Sequence, residues 1–229
     1  TEMSIFVLTD GQDYKILPTA KDYKRIGDGD TGLNTGGMGA ISPNLLADDE
    51  LIKKVESQII QPTLQGLKNR NYDYKGFIFL GLMIIESEPY VIEYNVRLGD
   101  PETQAILPRI KTDLLSLLDK TTKGQLADID LKITDDFTAT LVLASGGYPG
   151  SYKKGEEISG LDVVGNNSII FHAGTQLSNN KTITSGGRVL AVTSQSTDMK
   201  TAIENSYKNS EKIKFTGKYI RSDIGKDMV

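Results

Sequence analysis

The chain has 229 residues, of which 26 are basic and 30 acidic, giving a net charge of −4. This length allows one large domain or two ordinary domains, and we expect two. The acidic balance, with no basic stripe carrying interleaved aromatic residues, argues against a nucleic-acid partner. The chain has no cysteine, so disulfides and thiolate chemistry are excluded, and the single histidine, His172, excludes mechanisms that need two.

No apolar run in the sequence reaches membrane-spanning length and no signal peptide opens it, so we expect a cytoplasmic protein without a membrane partner. The first residues, Thr1–Leu8, enter a strand pattern at once and include no initiating methionine. We interpret this start as a cut through a domain.

The first part of the chain predicts a hairpin followed by a glycine-rich stretch. Residues 3–9 and 14–18 are typical of strands joined by a turn at 10–13. Six of the 23 glycines then fall within residues 27–39, a stretch that matches neither a Walker A loop nor a dinucleotide fingerprint. So many glycines are tolerated where the backbone approaches a ligand closely or moves as a lid. A flexible linker is an equal alternative, although the preceding pair Lys24-Arg25 favours anion binding.

A predicted strand near the middle of the chain carries three polar side chains at alternate positions. The apolar run 76–86 and the alternating stretch 90–97 predict an antiparallel pair. In the second strand Glu93, Asn95 and Arg97 project from one face. Carboxylate and amide oxygens suit Mg²⁺, and a guanidinium binds phosphate in a bidentate manner, so the pattern indicates a metal and nucleotide-phosphate site. The alternative is the solvated polar face of an edge strand, although Asn is depleted in strands.

The remaining elements form a predicted scaffold. Apolar residues recur at helical spacing over 48–69, where we expect Pro62 to kink or break the helix. Asp100 and Pro101 predict an N-cap and first helical position, so that the polar strand leads directly into a helix. Further predictions are a helix ending near 120–124, strands at 139–145, near 168–177 and 187–194, and a helix over about 197–213. A domain boundary at 120–125 separates domains 1–120 and 125–229, and the second carries no charged constellation typical of catalysis.

Several stretches together resemble the phosphoribosylamine–glycine ligase family, whose members are ATP-grasp enzymes also called glycinamide ribonucleotide synthetases. The resemblance rests on residues 22–32, 34–39 and 93–104, and on 143–150, 172–175, 184–190 and 221–225 of the second domain. It implies an α+β fold in which the second lobe of an ATP-grasp domain, an antiparallel sheet with helices, precedes a smaller C-terminal α/β domain. It also implies that an N-terminal half of the enzyme, including the first lobe of the grasp, is missing from this chain.

The resemblance implies the following activity and partners. The implied enzyme is an ATP-dependent carboxylate–amine ligase of purine biosynthesis that acts as a monomer. It joins glycine to 5-phosphoribosylamine with ATP through a glycyl phosphate. The implied cofactors are ATP and Mg²⁺ or Mn²⁺. The implied residues are Glu93 and Asn95 for the metal, Arg97 and Lys24 for catalysis, Glu2, Lys24 and Arg97 for the nucleotide, and Asn34, Thr35, Gly36, Gly37 and Asp100 for the substrate.

Two features of the sequence leave alternatives open. The family usually has histidine where this chain has Tyr23, so the role of that position is not assigned. The chain alone is expected to bind nucleotide poorly because one lobe offers half of a cleft. There are other hypotheses for the function of the chain. It could be a non-catalytic fragment or binding module, a degenerate relative, or part of a different ATP-grasp ligase.

Overall fold

Two antiparallel sheets organise the chain, and each belongs to a separate unit. The computed structural model describes residues 1–162, 165 and 167–229. Unit 1 consists of Thr1–Lys21, Pro43–Gly99 and Ile106–Asp135, and unit 2 of Asp22–Ser42, Asp100–Ala105 and Asp136–Val229.

The described elements are the following. The strands are β1 (Glu2–Thr9), β2 (Tyr14–Ile16), β3 (Lys21–Asp22), β4 (Arg25–Gly27), β5 (Thr31–Asn34), β6 (Gly39–Ser42), β7 (Gly76–Ile85), β8 (Glu88–Asn95), β9 (Phe137–Ser145), β10 (Ser168–His172), β11 (Thr175–Ser178), β12 (Lys181–Thr184), β13 (Arg188–Ser196) and β14 (Lys218–Tyr219). The α-helices are α1 (Asp49–Val55), α2 (Gln61–Asn69), α3 (Glu102–Ile106), α4 (Leu114–Thr122) and α5 (Met199–Lys212). Short 3₁₀ turns cover Leu107–Arg109, Leu126–Asp128 and Lys226–Met228, and a π-helical stretch covers Glu56–Ile60.

Unit 1 is built on a four-stranded sheet in the order β2-β1-β7-β8. The predicted hairpin is confirmed, with Val7 of β1 opposite Ile16 of β2, and so is the antiparallel pair of β7 and β8. Apolar side chains project from both faces of the sheet. One face packs on the helical segment 49–69, and the other packs on residues of α4 and the neighbouring 3₁₀ turns. The central strands are therefore held on both sides by apolar burial.

The helix predicted over 48–69 is observed at 49–69, and it is not broken at Pro62. Helix α1 passes through the π-helical stretch into α2 with helical backbone at both junctions. The Gln61 N–H donates to the Glu56 carbonyl, which is the spacing of a π-helix. Because Pro62 has no N–H and its ring crowds the carbonyl four residues earlier, regular α-helical bonding cannot continue through this turn.

Unit 2 is built on a second sheet in the order β10-β13-β9-β6-β3, with β14 also pairing β9. Helix α5 packs Ala202 and Ile203 against Ala139 and Leu141 of β9. Asp198 caps this helix by accepting a bond from the Thr201 N–H. The strands predicted at 139–145 and 187–194 and the helix predicted over 197–213 are confirmed.

The glycine-rich stretch does not stay with the first predicted domain. It leads at Gly39 into β6, which pairs with β9 so that Ile41 lies opposite Ala139. Backbone hydrogen bonds therefore make residues 22–42 part of unit 2. The predicted boundary at 120–125 divides the sequence at a single point, into 1–120 and 125–229, and it stays a prediction.

The helix predicted to begin at Pro101 begins at Glu102 and is only five residues long. The prediction that β8 leads directly into it is wrong, because pairing of β8 with β7 ends at Asn95 opposite Phe79 and six residues follow before α3. Within the part of the chain that the structure describes, no helix combines the length and apolar character needed to cross a bilayer.

Candidate metal and substrate sites

One face of the unit 1 sheet carries three of the predicted site residues. Glu93 lies opposite Gly81, and Asn95 opposite Phe79. On the other side of β7, Glu2 lies opposite Met83. Directly opposed residues share a face, as do alternate residues of one strand, so Glu2, Glu93 and Asn95 all point to the same side.

A β-bulge contributes to this arrangement. The register of β8 against β7 shifts between Gly81 and Leu82, so that Val91 lies opposite Leu82, Glu93 lies opposite Gly81, and Ile92 is the extra residue. Arg97 lies just beyond the strand, exposed, and its Nη1 donates to the Leu98 carbonyl over 2.9 Å. The predicted common face is therefore observed for Glu93 and Asn95, whereas Arg97 follows the end of the sheet.

The Glu93 side chain lies across Gly81. A Cβ atom added at Gly81 would stand 2.8 Å from Cγ of Glu93 and 3.4 Å from its Oε1. Glu93 is exposed and Asn95 half-buried. A side chain at position 81 would therefore occupy the space that Glu93 uses.

The donor set of this face fits a hard divalent cation. Glu93 supplies carboxylate oxygens and Asn95 an amide oxygen, which are ligand types that Mg²⁺ accepts. Among the described residues, no group of three or more His, Cys, Asp or Glu is placed to hold a metal. An ion held by Glu93 and Asn95 would have further positions for phosphate oxygens and water, which Mg²⁺ usually keeps.

In unit 2 the backbone of Lys24 is bound to the Asn34–Gly37 loop. The Lys24 carbonyl accepts bonds from the Thr35 N–H and the Thr35 hydroxyl, both over 2.8 Å. Oγ1 of Thr35 in turn accepts from the Gly37 N–H over 2.9 Å. These bonds bring Lys24, Thr35 and Gly37 of the predicted site together within this unit.

Arg188 joins the same loop to Asp100, and sequence reasoning missed it. Its Nη1 donates to the carbonyl oxygens of Gly36 and Asp100, each over 2.7 Å, and forms an ion pair with Oδ1 of Asp100 over 2.9 Å. Tyr148 adds its hydroxyl, which accepts from the Gly36 N–H over 3.1 Å. The only available signal was the Gly-Gly-Arg motif at 186–188, since the partners lie 88 and 152 residues away.

Tyr23, which replaces the family's usual histidine, is a buried side chain of the unit 2 core. Its hydroxyl donates to Oδ1 of Asp227 over 2.5 Å. Burial and this bond to a carboxylate raise the pKa of Tyr23 far above its ordinary value. The ring therefore packs in the core as a neutral phenol.

Among the described carboxylates of unit 2, Asp223 has the most strongly lowered pKa. The Arg221 guanidinium, helped by the Gly29 N–H, lowers the pKa of Asp223 to about 2. Arg221 is 1% exposed and donates to both carboxylate oxygens over 2.8 Å. The charged form of Asp223 is thus stabilised in the folded protein relative to the unfolded chain.

Replacing Asp223 by asparagine is expected to lower the free energy of unfolding by about 2 kcal/mol at pH 7. Because the folded-state pKa of Asp223 is depressed, this contribution is complete above pH 4 and is lost as the pH falls towards 2. Urea unfolding of both proteins at pH 7, 5 and 3 measures the difference. Glu157→Gln, which removes an exposed ion pair with Lys181, serves as the control with little change. A difference that is equal at pH 3 and pH 7 would contradict the assignment.

Two family models match most of the chain. The model of the phosphoribosylglycinamide synthetase ATP-grasp (A) domain matches residues 1–103, and that of the phosphoribosylglycinamide synthetase C domain matches residues 138–227. The chain belongs to the phosphoribosylglycinamide synthetase family. The resemblance and the α+β ATP-grasp fold predicted from the sequence are thereby confirmed.

Members of the phosphoribosylglycinamide synthetase family resemble the chain along almost its whole length. The phosphoribosylamine–glycine ligase of Chlorobaculum tepidum is 45% identical over 227 residues, which are 98% of this chain and 53% of the relative. The crystal structure of the phosphoribosylamine–glycine ligase of Thermotoga maritima matches with a TM-score of 0.88 and 37% identity, over 98% of this chain and 55% of that one. The chain thus spans about half the length of these relatives.

The fold extends to proteins outside the phosphoribosylglycinamide synthetase family. The biotin carboxylase domain of Hydrogenobacter thermophilus 2-oxoglutarate carboxylase, solved with MgADP and bicarbonate, matches with a TM-score of 0.67 and 14% identity. The match covers 96% of this chain and 46% of that domain's chain. At this level of identity the likeness concerns the fold alone.

Proposed function

We propose that this chain is the C-terminal portion of an ATP-dependent ligase that joins glycine to 5-phosphoribosylamine to form glycinamide ribonucleotide. The observation that carries the proposal is the placement of Glu93 and Asn95 on one sheet face, with Glu93 across Gly81, in a chain 45% identical to a phosphoribosylamine–glycine ligase. The rest of the relatives' length would supply the N-terminal half, with the other lobe of the grasp. The whole enzyme would act in the cytoplasm as a monomer.

The chemistry consists of two displacements. An oxygen of the glycine carboxylate attacks the γ-phosphorus of ATP, the bond to the bridging oxygen breaks, and ADP leaves with that electron pair. The amine of phosphoribosylamine then attacks the carbonyl carbon of glycyl phosphate, loses a proton and expels phosphate. Both steps depend on positioning and charge neutralisation, so the absence of cysteine is no obstacle.

Each proposed residue has a role suited to its chemistry. Glu93 and Asn95 would hold Mg²⁺ or Mn²⁺, which when bound neutralises charge on the ATP phosphates. Arg97 would bind the transferring phosphoryl group, and Lys24 the nucleotide or the acyl phosphate. Glu2 would lie near the nucleotide ribose, because it faces the same side of the sheet as Glu93.

The substrate side is proposed for unit 2. The substrate side would be lined by the loop of Asn34, Thr35, Gly36 and Gly37. Asp100 would also contribute, because Arg188 binds both Asp100 and the Gly36 carbonyl. The backbone of this loop is held by bonds from side chains of its own unit. Such a loop can present backbone groups to a small polar substrate at a fixed position.

The test is ADP release with Mg²⁺, glycine and phosphoribosylamine. This chain and a version extended by the N-terminal half that its relatives carry are compared, each with and without Glu93→Gln. We expect turnover only in the extended protein, and a loss of at least about 100-fold on substitution because a charged ligand is removed. Glu88→Gln is the matched control, since Glu88 lies on the same strand but pairs with Lys54.

Two outcomes would contradict the proposal. ADP release that follows another acid or amine in place of glycine or phosphoribosylamine would indicate a different ATP-grasp ligase. No release by the extended protein with any of these substrates would indicate a degenerate relative that acts as a binding module.

A further inference from the structure

The turn of the β4–β5 hairpin and the segment 221–223 hold each other by reciprocal bonds. The Asp28 carboxylate, in the hairpin turn, accepts from the Ser222 N–H over 2.8 Å and also binds the Ser222 hydroxyl. In the opposite direction, Oδ2 of Asp223 accepts from the Gly29 N–H over 2.8 Å. The two loops are 194 residues apart in sequence, so this contact is made only by the tertiary fold.

Arg221 reinforces the contact from below the hairpin. Besides its two bonds to Asp223, its Nη1 donates to the Arg25 carbonyl over 2.9 Å and lies 3.5 Å from Oδ1 of Asp30. Its guanidinium lies over the Tyr23 ring, 5.5 Å from the ring centroid. A single buried cation therefore contacts the strand, the turn and the residue that precedes Lys24.

The hairpin contributes Ile26, a partly buried side chain, to the apolar core of unit 2. All four residues of β5 are exposed, and the pairing of β4 with β5 contains a register shift. The hydroxyl of Tyr219 donates to the Ile26 carbonyl over 2.7 Å, a further bond from the same C-terminal region. Polar bonds from residues 219–223 thus add to the packing of Ile26 in holding the hairpin.

We infer that Arg221, Ser222 and Asp223 form a latch that fixes the β4–β5 hairpin, and with it the backbone of Lys24 and of the Asn34–Gly37 loop. The hairpin is neither a free linker nor a swinging lid, because its base is bound through the Lys24 carbonyl and its turn through Asp28 and Gly29. Arg221, Ser222 and Asp223 are then positioning residues. Their importance for substrate binding rests on the proposed function, whereas the latch itself does not.

Limited trypsin digestion of this chain tests the latch without any assay of activity. Arg25 is exposed at the start of β4, and cleavage after it requires the hairpin to detach. We expect Asp28→Ala to raise the rate of cleavage after Arg25 at least fivefold, because both bonds to Ser222 are lost. Asp28→Asn retains one acceptor oxygen and should give a smaller increase. Glu157→Gln removes an ion pair with Lys181 of the separate β11–β12 hairpin, and it should leave the rate of cleavage after Arg25 unchanged.

Cleavage after Lys181, at the start of β12, reports general loosening of the unit in the same digest. An increase confined to Arg25 supports the latch. Equal increases at Arg25 and Lys181, or no increase in Asp28→Ala with an unchanged circular dichroism spectrum, would overturn it. Because no outcome depends on turnover, failure of the latch is distinguishable from failure of the proposed ligase activity.

Discussion

Replacement of Gly81 by alanine is expected to lower ADP release by the extended ligase about 100-fold while the protein stays folded. The added Cβ would stand 2.8 Å from Cγ of Glu93 and 3.4 Å from Cε1 of Phe79. Strand β7 is paired on both sides, by β1 and β8, so its backbone cannot move away. Glu93 must rotate instead, and displacement of a metal ligand by about 1 Å is enough for a loss of this size.

The measurement is kcat/KM for ATP at several Mg²⁺ concentrations, together with urea unfolding. The free energy of unfolding should change by less than about 1 kcal/mol, because alanine favours the strand while the contact with Glu93 opposes it. Gly66→Ala is the matched control, since Gly66 lies in α2 with open space around its Cβ position. Gly66→Ala should keep full activity and gain up to about 1 kcal/mol of stability. Full activity in Gly81→Ala would show that the position of Glu93 is not critical.

Replacement of Gly37 by alanine is expected to lower the free energy of unfolding by about 3 kcal/mol. Gly37 has a φ of +112°, a conformation that a residue with a Cβ rarely adopts. Its Cβ would also overlap Cδ of Pro101 and stand 2.8 Å from Oδ1 of Asp22 and 3.3 Å from the Asp100 carbonyl oxygen. The loop must therefore move, and its bonds to Arg188 would weaken.

Urea unfolding of this chain measures the stability change, and KM for glycine and phosphoribosylamine in the extended protein measures the effect on the substrate loop. Gly29→Ala is the matched control, because Gly29 also has a positive φ, +66°, but nothing lies within 4 Å of its Cβ position. That variant should lose only about 1 kcal/mol, the cost of the left-handed backbone alone. If both variants lose the same stability, the close contact at Gly37 is not the cause.

Much of the fold was predictable because its signals are local. Strand alternation, the tight turn at 10–13 and helical spacing over 48–69 each act within a few residues, and the observed elements follow them. The π-helical stretch before Pro62 also has a local cause, because a missing N–H acts on the same turn of helix. The common face of Glu93 and Asn95 was likewise predictable, since the side-chain period of a strand is two.

The role of position 23 and the charged contacts of unit 2 were not predictable in this way. Residues 125–229 show no charged pattern typical of catalysis, but the sequence does not predict that Arg188 binds Asp100 or that Arg221 binds Asp223 and Asp30. The sequence assigns no role to Tyr23, whereas in the folded core its hydroxyl binds Asp227. Only the Arg221–Asp223 pair is close in sequence; the others join residues far apart along the chain, and no spacing rule connects those.

The sequence by itself determined which segments become strands and helices, which family they form, and that Glu93 and Asn95 face one way. Only the tertiary structure decided that β6 joins the sheet of unit 2, that Arg188 holds Gly36 beside Asp100, and that residues 221–223 hold the glycine-rich hairpin. The physical reason is that backbone propensity and side-chain periodicity act over a few residues. Strand pairing and buried ion pairs depend on which distant segments the burial of apolar surface brings together.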